Sequence, residues 1–405
     1  MEVLFRGKFG LERETLRIDE RGRLAGTPHP FENDEHITRD FCENQIEIIT
    51  PVCSSIDEAL DEMKKFDDIV SAELSKKGER LWIYSNPPYI ESEDEIPIAG
   101  FTGEFSSKRN YRVQLERKYG KRLMLLSGVH YNFSFDDEWL RDRFSGEPIR
   151  DINDMIDKQV SVRSAEECGK PSDHQAYINK LYLKLYKQLM YHSWLLVLLS
   201  AASPYYDMSF DKDGQSGVIL SKYSSIRNSE RGYWNHFIPI LDHSSFSAFC
   251  DSINVYIEKG MLSTISELYL PVRLKPRGMN SLENLVKNGV DHIELRMFDL
   301  DPGAPLGIDA DMLKFAHLFI LYLLELPDFD FDEKQQNEAL QKYRNAALLD
   351  TEEDMINKAE ELLLKMKRHF YDSQEAGRII SDQVKKLHTG REKRYINYYD
   401  NVKRT

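Results

Sequence analysis

Residues 40–51 read DFCENQIEIITP, and this stretch decides the fold that we expect for the chain. Successive side chains of a β-strand point to opposite faces, so the stretch predicts a strand with two different faces. The first face is polar and acidic: Glu43, Gln45 and Glu47. The second face is mainly apolar: Asn44, Ile46 and Ile48. An acidic face packs poorly into a core but holds a cation well. The strand ends at Pro51, because proline has no backbone N–H to donate.

The segment 9–18 shows the same alternation earlier in the chain. It places Glu12 and Glu14 on one face of a first strand, and the polar turn 19–22 predicts that the chain returns as a hairpin. A Glu-x-Glu pair on its own is more typical of a strand face that contacts solvent. The second acidic strand, at 40–47, favours a site that the two strands share.

Two later segments add basic side chains to the pattern. The strand predicted over 127–135 carries His130 on its polar face, and the strand over 290–302 carries Glu294 and Arg296 on one face. A lone histidine is usually structural, and a Glu–Arg pair can be a simple ion pair. Beside carboxylate pairs, His130 becomes a candidate metal or phosphate ligand, and Arg296 a candidate for neutralising charge on a phosphate.

Helices are predicted in other parts of the chain. The basic helix predicted over 111–122 offers Arg112 for contact with phosphate or carboxylate, although a solvated basic face explains this stretch equally well. From about residue 308 the pattern predicts a mainly helical part with four helices: 308–326, 332–348, 352–371 and 374–388.

Length and composition limit the class of protein. The chain has 405 residues, of which 41% are hydrophobic and 30% are charged, so it can bury a sizeable core. No internal repeat or low-complexity linker divides it, and one α+β unit over residues 1–405 is the simplest domain organisation. The net charge of −14 argues against binding to nucleic acid or to an anionic membrane, because both need clustered Lys and Arg. No oligomeric state follows from the sequence.

The cysteines and the N-terminus predict a cytoplasmic protein. Cys42, Cys53, Cys168 and Cys250 are widely spaced and form no CxxC pair, which is typical of reduced thiols. The first ten residues are charged and contain no signal-peptide core. The longest apolar run, at 194–199, is too short to span a bilayer.

The ligand types on the acidic face predict a metal-dependent phosphoryl-transfer enzyme. The chain has no P-loop motif and no Gly-rich dinucleotide turn. Oxygen ligands with one imidazole suit Mg²⁺ or Mn²⁺, and their number implies two or three ions that bridge phosphate oxygens of ATP. The candidate metal ligands are Glu12, Glu14, Asp40, Glu43, Glu47, His130 and Glu294.

A series of motifs in one order resembles the bacterial glutamate–cysteine ligase (γ-glutamylcysteine synthetase) family from about residue 7 to about 326. The matching motifs are GLERETLR (10–17), TPHP (27–30), ITRDF (37–41), EIITPV (47–52), SGVHYN (127–132), SIRNS (225–229) with Gly232 and Tyr233, ELYLPVR (267–273), and IELR (293–296) followed by Pro302 and PLGI (305–308).

The resemblance implies a glutamine-synthetase-like antiparallel sheet wrapped by helices, with an acidic face that binds metal ions and ATP. The implied reaction joins L-glutamate to L-cysteine with ATP through a γ-glutamyl phosphate, as the first step of glutathione synthesis. The acids named above and His130 would hold Mg²⁺ and the phosphates, and Arg296 would lie beside the transferred phosphoryl group. Six residues would lie near the substrate amino acids: Phe41, Tyr111, Arg112, Arg227, Tyr233 and Tyr269.

The chain departs from the family pattern in its C-terminal third, which matches poorly, and it is shorter than the long proteobacterial form. It ends without an ATP-grasp domain, so the resemblance implies a single ligase step. Two alternatives remain open. The first is a carboxylate–amine ligase that uses a different amine, and the second is a catalytically silent nucleotide or metal binder.

Overall fold

The computed structural model describes residues 3–32, 34–101, 106–145 and 171–389. Cys168, one of the four cysteines expected to be reduced, lies outside these ranges. The other three are buried free thiols. Helices cover an antiparallel sheet, which confirms the α+β class. No helix among the described residues combines the length and the apolar character that crossing a membrane requires.

Most of the strands belong to one large sheet. The strands of the described ranges are β1 (Lys8–Ile18), β2 (Ile37–Thr38), β3 (Gln45–Ile49), β4 (Arg80–Trp82), β5 (Gly128–Ser134), β6 (Tyr205–Asp207), β7 (Val218–Leu220), β8 (Val272–Lys275) and β9 (His292–Asp299). Seven of them form an antiparallel sheet in the order β2-β3-β1-β5-β9-β8, with β4 paired to the end of β1. Strands β6 and β7 pair separately.

Helices make up most of the rest. Those in the described ranges are α1 (Ile56–Ser75), α2 (Ser106–Tyr119), α3 (Asp137–Ser145), α4 (Pro171–His192), α5 (Trp194–Ser200), α6 (Phe246–Glu258), α7 (Leu282–Asn288), α8 (Ala310–Glu325), α9 (Glu333–Ala346), α10 (Glu353–His369) and α11 (Gln374–His388). The helices α8 to α11 confirm, within a few residues, the four expected after residue 308.

The two faces of the large sheet have different environments. The rear face is apolar and forms the main core with side chains of α1, α4 and α8: Leu11, Ile46, Ile48, Val129, Tyr131, Phe133, Ile293 and Leu295 lie on it. The front face carries the alternate residues of the same strands. The two-residue period of the sequence therefore separates a core from a polar surface, as expected.

The strand register aligns the charged residues on the front face. Glu14 of β1 lies opposite Glu47 of β3, and Glu12 lies opposite His130 of β5. One strand further, β9 carries Glu294. Because β1 lies between β3 and β5, acids that are far apart in sequence become neighbours.

The strand predicted over residues 40–51 was too long. Residues 40–44 form a turn, in which Oε1 of Gln45 accepts a hydrogen bond of 3.0 Å from the backbone N–H of Phe41, and β3 begins only at Gln45. After β1, the expected turn is present, with the N–H of Asp19 donating to the carbonyl of Arg23 at 2.9 Å. The chain then returns antiparallel to β1 as predicted, but only briefly: residue 18 bridges residue 24, and the N–H of Ala25 donates to the carbonyl of Arg17 at 2.9 Å.

Candidate active site

The front face of the sheet opens into a cavity of about 550 Å³. All of the predicted site residues except Glu43 line it: Glu12, Glu14, Asp40, Phe41, Glu47, Tyr111, Arg112, His130, Arg227, Tyr233, Tyr269, Glu294 and Arg296. The sheet forms the floor of the cavity. Helix α2 and the loops around residues 227–233 and 266–273 form its walls.

A cluster of two carboxylates and one imidazole lies at the centre of the floor. The Nδ1 atom of His130 lies 3.2 Å from Oε2 of Glu12 and 3.4 Å from Oε1 of Glu294. One potential ligand atom from each of the three residues lies within 4.8 Å of the other two. Asn132 donates a hydrogen bond of 3.0 Å to the second oxygen of Glu12, which fixes the carboxylate towards the imidazole.

Basic side chains surround Glu294 and keep it ionised. Burial raises its pKa, but Lys275 at 3.3 Å, Arg296 at 2.5 Å and Arg273 at 3.9 Å together hold that pKa well below the ordinary value. The same cluster acts on Arg296, whose pKa is lowered by burial but raised overall by the charges of Glu294 and Glu14.

The acids on the β1–β3 side have the opposite electrostatics. Burial and the charge of Asp40 raise the pKa of Glu14 to about 8. Burial and the charges of Asp40 and Glu12 raise the pKa of Glu47 well above its ordinary value. Here negative charges face one another without enough local cations, so a bound divalent ion would stabilise their ionised forms.

The imidazole of His130 is available as a ligand. Burial and the charge of Arg296 lower its pKa to about 4, so the ring is neutral at pH 7. Its Nε2 atom is buried, has no hydrogen-bond partner among the described residues, and lies 3.6 Å from Oε1 of Glu14. Carboxylate oxygens with one neutral imidazole fit a divalent cation such as Mg²⁺ or Mn²⁺.

Arg112 is a wall residue of the cavity rather than part of a solvated basic face. Its Nε atom donates to the backbone carbonyl of Asp40, and its Nη2 lies 3.9 Å from the Asp40 carboxylate. Only 12% of the side chain is exposed, and its guanidinium lies over the ring of Phe101. The alternative of a solvated helix face is therefore wrong for this residue.

Three tyrosines form the apolar end of the cavity. The rings of Tyr233 and Tyr269 meet edge to face, with centroids 4.8 Å apart. Burial raises the pKa of Tyr111 to about 12. The hydroxyl of Tyr269 is buried without a hydrogen-bond partner among the described residues, which leaves a polar atom for a ligand.

Arg227 reaches the cavity from a loop. Its Nη1 atom donates to the carbonyls of Arg296 at 3.0 Å and Phe298 at 2.8 Å, so the guanidinium is fixed on β9. It also lies directly over Gly128, where a Cβ atom would come within 2.3 Å of its Cζ. The absence of a side chain at Gly128 thus makes room for Arg227.

Glu43 is the predicted ligand that the structure does not bring to the cavity. Its carboxylate lies 3.2 Å from Nε of Arg39 and accepts a hydrogen bond of 2.5 Å from the backbone N–H of Gly100. It precedes β3 and belongs to the turn at 40–44. The strand alternation that grouped it with Glu47 therefore does not apply to it.

Several polar residues of the site were not predicted from the sequence. Arg273 and Lys275 alternate in β8 on the face that Glu294 also shares, and this period-two signal was available in the sequence. The sequence predicts Asn132 on the polar face of β5, but it was not among the predicted site residues. Tyr343 lines the cavity from α9, and no local pattern indicates that contact.

A model of the glutamate–cysteine ligase family matches residues 1–261 and 251–346 of the chain. The chain is 38% identical over 359 residues to the glutathione biosynthesis bifunctional protein GshAB of Listeria welshimeri, covering 86% of this chain and 43% of that protein. It is 29% identical over 404 residues to the glutamate–cysteine ligase of Clostridium acetobutylicum, covering 87% of this chain and 79% of that protein. The chain spans less than half the length of the bifunctional Listeria relatives.

Two solved structures share the fold. A bifunctional glutathione synthetase from Pasteurella multocida superposes with a TM-score of 0.81 at 24% identity, covering 98% of this chain and 50% of that one. The glutamate–cysteine ligase of Francisella tularensis, solved in complex with AMP, superposes with a TM-score of 0.77 at 23% identity. The match covers 95% of this chain and 82% of that one.

Proposed function

The chain belongs to the glutamate–cysteine ligase family, and on this premise we propose that it joins the γ-carboxylate of L-glutamate to the amine of L-cysteine. ATP is the second substrate of the first step, and the products are γ-glutamylcysteine, ADP and phosphate. The observation that carries the proposal is the cluster of Glu12, His130 and Glu294 beside Arg296, which offers ligands for a cation and a guanidinium for a phosphate.

Two or three Mg²⁺ or Mn²⁺ ions would occupy the floor. Glu12, His130 and Glu294 would hold one of them, and Glu14, Asp40 and Glu47 would hold the others. Bound there, the ions would neutralise the oxygens of the ATP phosphates and of the phosphoryl group in transfer. The raised pKa values of Glu14 and Glu47 support this assignment, because the arginines near them do not offset burial and the charges of the neighbouring acids.

The reaction takes place in two displacements. An oxygen of the glutamate γ-carboxylate attacks the γ-phosphorus of ATP, and ADP leaves. The neutral amine of cysteine then attacks the acyl carbon, and phosphate leaves with the oxygen that came from glutamate. The guanidinium of Arg296 lies on the floor, where it stabilises negative charge on the transferred group.

No side chain needs to become covalently attached during this sequence. The described thiols are buried, and burial raises the pKa of Cys42 and of Cys250 to about 12, so neither is a ready nucleophile. The six wall residues named above would bind the amino acids. Arg112 and Arg227 offer charge to their carboxylates, and the rings of Phe41, Tyr111, Tyr233 and Tyr269 enclose their apolar parts.

Residues 1–405 would act as one catalytic domain in this proposal. The support comes from α9, in the mainly helical C-terminal part. It places Tyr343 in the lining of the cavity, so this part of the chain helps to build the site.

The test is phosphate release from ATP and Mg²⁺ with L-glutamate while the amine is varied, including L-cysteine and 2-aminobutyrate. Release that needs glutamate and prefers cysteine supports the proposal. If phosphate release is fastest with an unrelated amine, the proposed mechanism still holds, but that amine and not L-cysteine is the second amino-group substrate. Folded protein that binds ATP but releases no phosphate with any amine would show the silent binder, and the proposal would fail.

A further inference from the structure

Arg227 owes its position to a buried polar network that continues beyond the cavity. The loop residue next to it, Asn228, donates from Nδ2 to the carbonyl of Met297 and to Oγ of Ser225, both at 2.8 Å. The Oδ1 atom of Asn228 accepts a hydrogen bond of 2.5 Å from the hydroxyl of Tyr343 in α9. The side-chain amide therefore links the loop to a strand and to a helix.

The network ends at another buried acid, Asp299. Ser225 donates to Oδ1 of Asp299 at 2.8 Å, and the other oxygen of Asp299 accepts from Oγ of Ser203 at 2.6 Å and from the N–H of Ala202 at 2.9 Å. Tyr343 is 3% exposed, Asn228 is 3% exposed and Ser225 is fully buried. Polar groups removed from water to this extent stabilise one arrangement strongly when all of them are paired.

The guanidinium that this network supports has capacity left for a ligand. Arg227 is 8% exposed, and within the described residues its Nε atom has no hydrogen-bond partner. A loop residue has no helix or strand of its own to fix it, so its precision must come from the neighbours of the loop.

We propose that Tyr343 and Asn228 are positioning residues, which hold the loop on β9 so that Arg227 meets the carboxylate of an amino-acid substrate. This inference rests on the proposed function. The C-terminal helical part would then influence the affinity for an amino-acid substrate. It would do so through the hydrogen bond from Tyr343 to Asn228, two residues that are 115 positions apart in the sequence. Tyr343 acts through Asn228 and Arg227, not by its own contact with the reacting atoms.

The first experiment measures initial rates of Tyr343→Phe with glutamate, cysteine and ATP varied in turn. Loss of one buried hydrogen bond should raise the KM of one amino acid roughly five- to tenfold. The KM of ATP should stay within about twofold, because the phosphate floor is untouched. Tyr182→Phe is the matched control. Its hydroxyl is also buried and hydrogen-bonded, to Phe135 and Asp291, but it lies in the core outside the cavity.

The second experiment separates positioning from direct contact. Ser225→Ala removes the hydroxyl between Asn228 and Asp299, and it should raise the same KM. In the double variant with Tyr343→Phe, the two effects should be clearly non-additive, since both act on one amide. Additive effects would show that Tyr343 contacts the substrate by itself, and the inference would be overturned.

Failure of the positioning role and failure of the proposed function would give different results. If the wild-type chain shows no ligation, the proposed function fails. If the wild-type chain ligates and both Tyr343→Phe and Ser225→Ala keep all three KM values, only the positioning role is wrong. If Tyr182→Phe changes the amino-acid KM as much as Tyr343→Phe does, the effect is a general loss of packing, and the inference is again overturned.

Discussion

At the scale of single residues, the acids of the site differ in their surroundings rather than in their type. Glu294 has three basic neighbours within 4.0 Å, whereas the charges that act on Glu47 are mostly those of other acids. The carboxylate of Glu294 is therefore ionised without a ligand. The neutral acid of Glu47 is favoured as long as no cation is bound beside it. The basic side chains beside Glu294 therefore offer positive charge to a phosphate, whereas the acids around Glu47 need metal ions to offset their charge.

Glu47→Gln tests the metal side of the floor. The amide has the shape of the neutral carboxyl that a raised pKa favours, so the ligand-free protein should keep its stability. Turnover should fall roughly 100-fold or more, because a ligand charge at the phosphate site is lost. The measurement is kcat at saturating Mg²⁺ together with thermal unfolding.

The matched control is Glu43→Gln, in the same segment but outside the cavity. It should keep most of the turnover, even if the lost contact with Arg39 lowers the stability. Near-normal turnover of Glu47→Gln, or equal losses in both variants, would contradict the assignment of the floor.

Gly128→Ala tests the space that Arg227 requires. The new methyl group would lie 2.3 Å from the guanidinium carbon, so Arg227 must move away from β9. We expect the KM of one amino-acid substrate to rise roughly tenfold or more, as for loss of a charge-assisted contact. In the control, Gly10→Ala on the neighbouring strand, the methyl group meets its nearest atom at 3.6 Å and should change little. Equal kinetics of the two variants would show that Arg227 does not need its present position.

The charged residues on the strands could be predicted one by one because strand alternation is a strictly local signal, whereas the residues of the cavity walls were expected mainly from the family resemblance. Glu12 and Glu14 lie where their spacing placed them. Glu43 could not be separated from Glu47 in the same way, because the Gln45 side chain bonds back to Phe41 and ends the alternation. That competition between a side chain and the strand ladder is visible only in three dimensions.

At the scale of elements, α8 and β1 meet around one buried histidine. His317 is fully buried among the rings of Phe5, Phe9 and Phe133, and its Nε2 donates to the carbonyl of Leu4 at 3.0 Å. Burial lowers its pKa to about 4, and Nδ1 has no partner among the described residues. A proton added to this ring therefore costs stability.

The sign of the pH dependence follows from this lowered pKa. The unfolded chain binds the proton near pH 6.5 and the folded chain only near pH 4, so stability present above pH 6.5 is lost as the pH falls between these values. For His317→Gln, we expect lower stability at pH 7.5 but a loss between pH 7.5 and 5 that is smaller by about 2 kcal/mol. Urea unfolding at the two pH values measures this difference.

The control for that measurement is His388→Gln, since His388 is exposed at the end of α11. The loss of stability in acid that His317 causes should remain in this variant, because the buried ring is untouched. His243 is also buried with a pKa lowered to about 4, so some acid sensitivity should remain in His317→Gln. An unchanged pH dependence in His317→Gln would contradict the account of this contact.

The elements themselves were predictable to different degrees. The helices after residue 308 have strong helical periodicity, and they form where the sequence indicates. The predicted start of β3 was wrong and the return of the chain after β1 is short, because turns depend on individual hydrogen bonds such as that from Asp19 to Arg23. The order of strands in the sheet depends on pairing between distant segments, which local periodicity does not contain.

At the scale of the whole molecule, the sheet collects residues from distant parts of the chain. Glu12, His130 and Glu294 are brought within ligand distance because β1, β5 and β9 are adjacent. Tyr343 of α9 adds the C-terminal helical part to the same cavity. The acidic floor could be predicted from the sequence, whereas the contact of Tyr343 with Asn228 could not, since no pattern relates the two positions.

The most direct test of the central claim follows the oxygen atoms of glutamate. The γ-carboxylate is labelled with ¹⁸O, and the wild-type chain is incubated with ATP, Mg²⁺ and L-cysteine. Mass spectrometry should find one labelled oxygen in the released phosphate and one in the amide of γ-glutamylcysteine, because the carboxylate attacks the γ-phosphorus. Phosphate without the label, formed together with a ligated product, would contradict the γ-glutamyl phosphate and with it the mechanism proposed for this site.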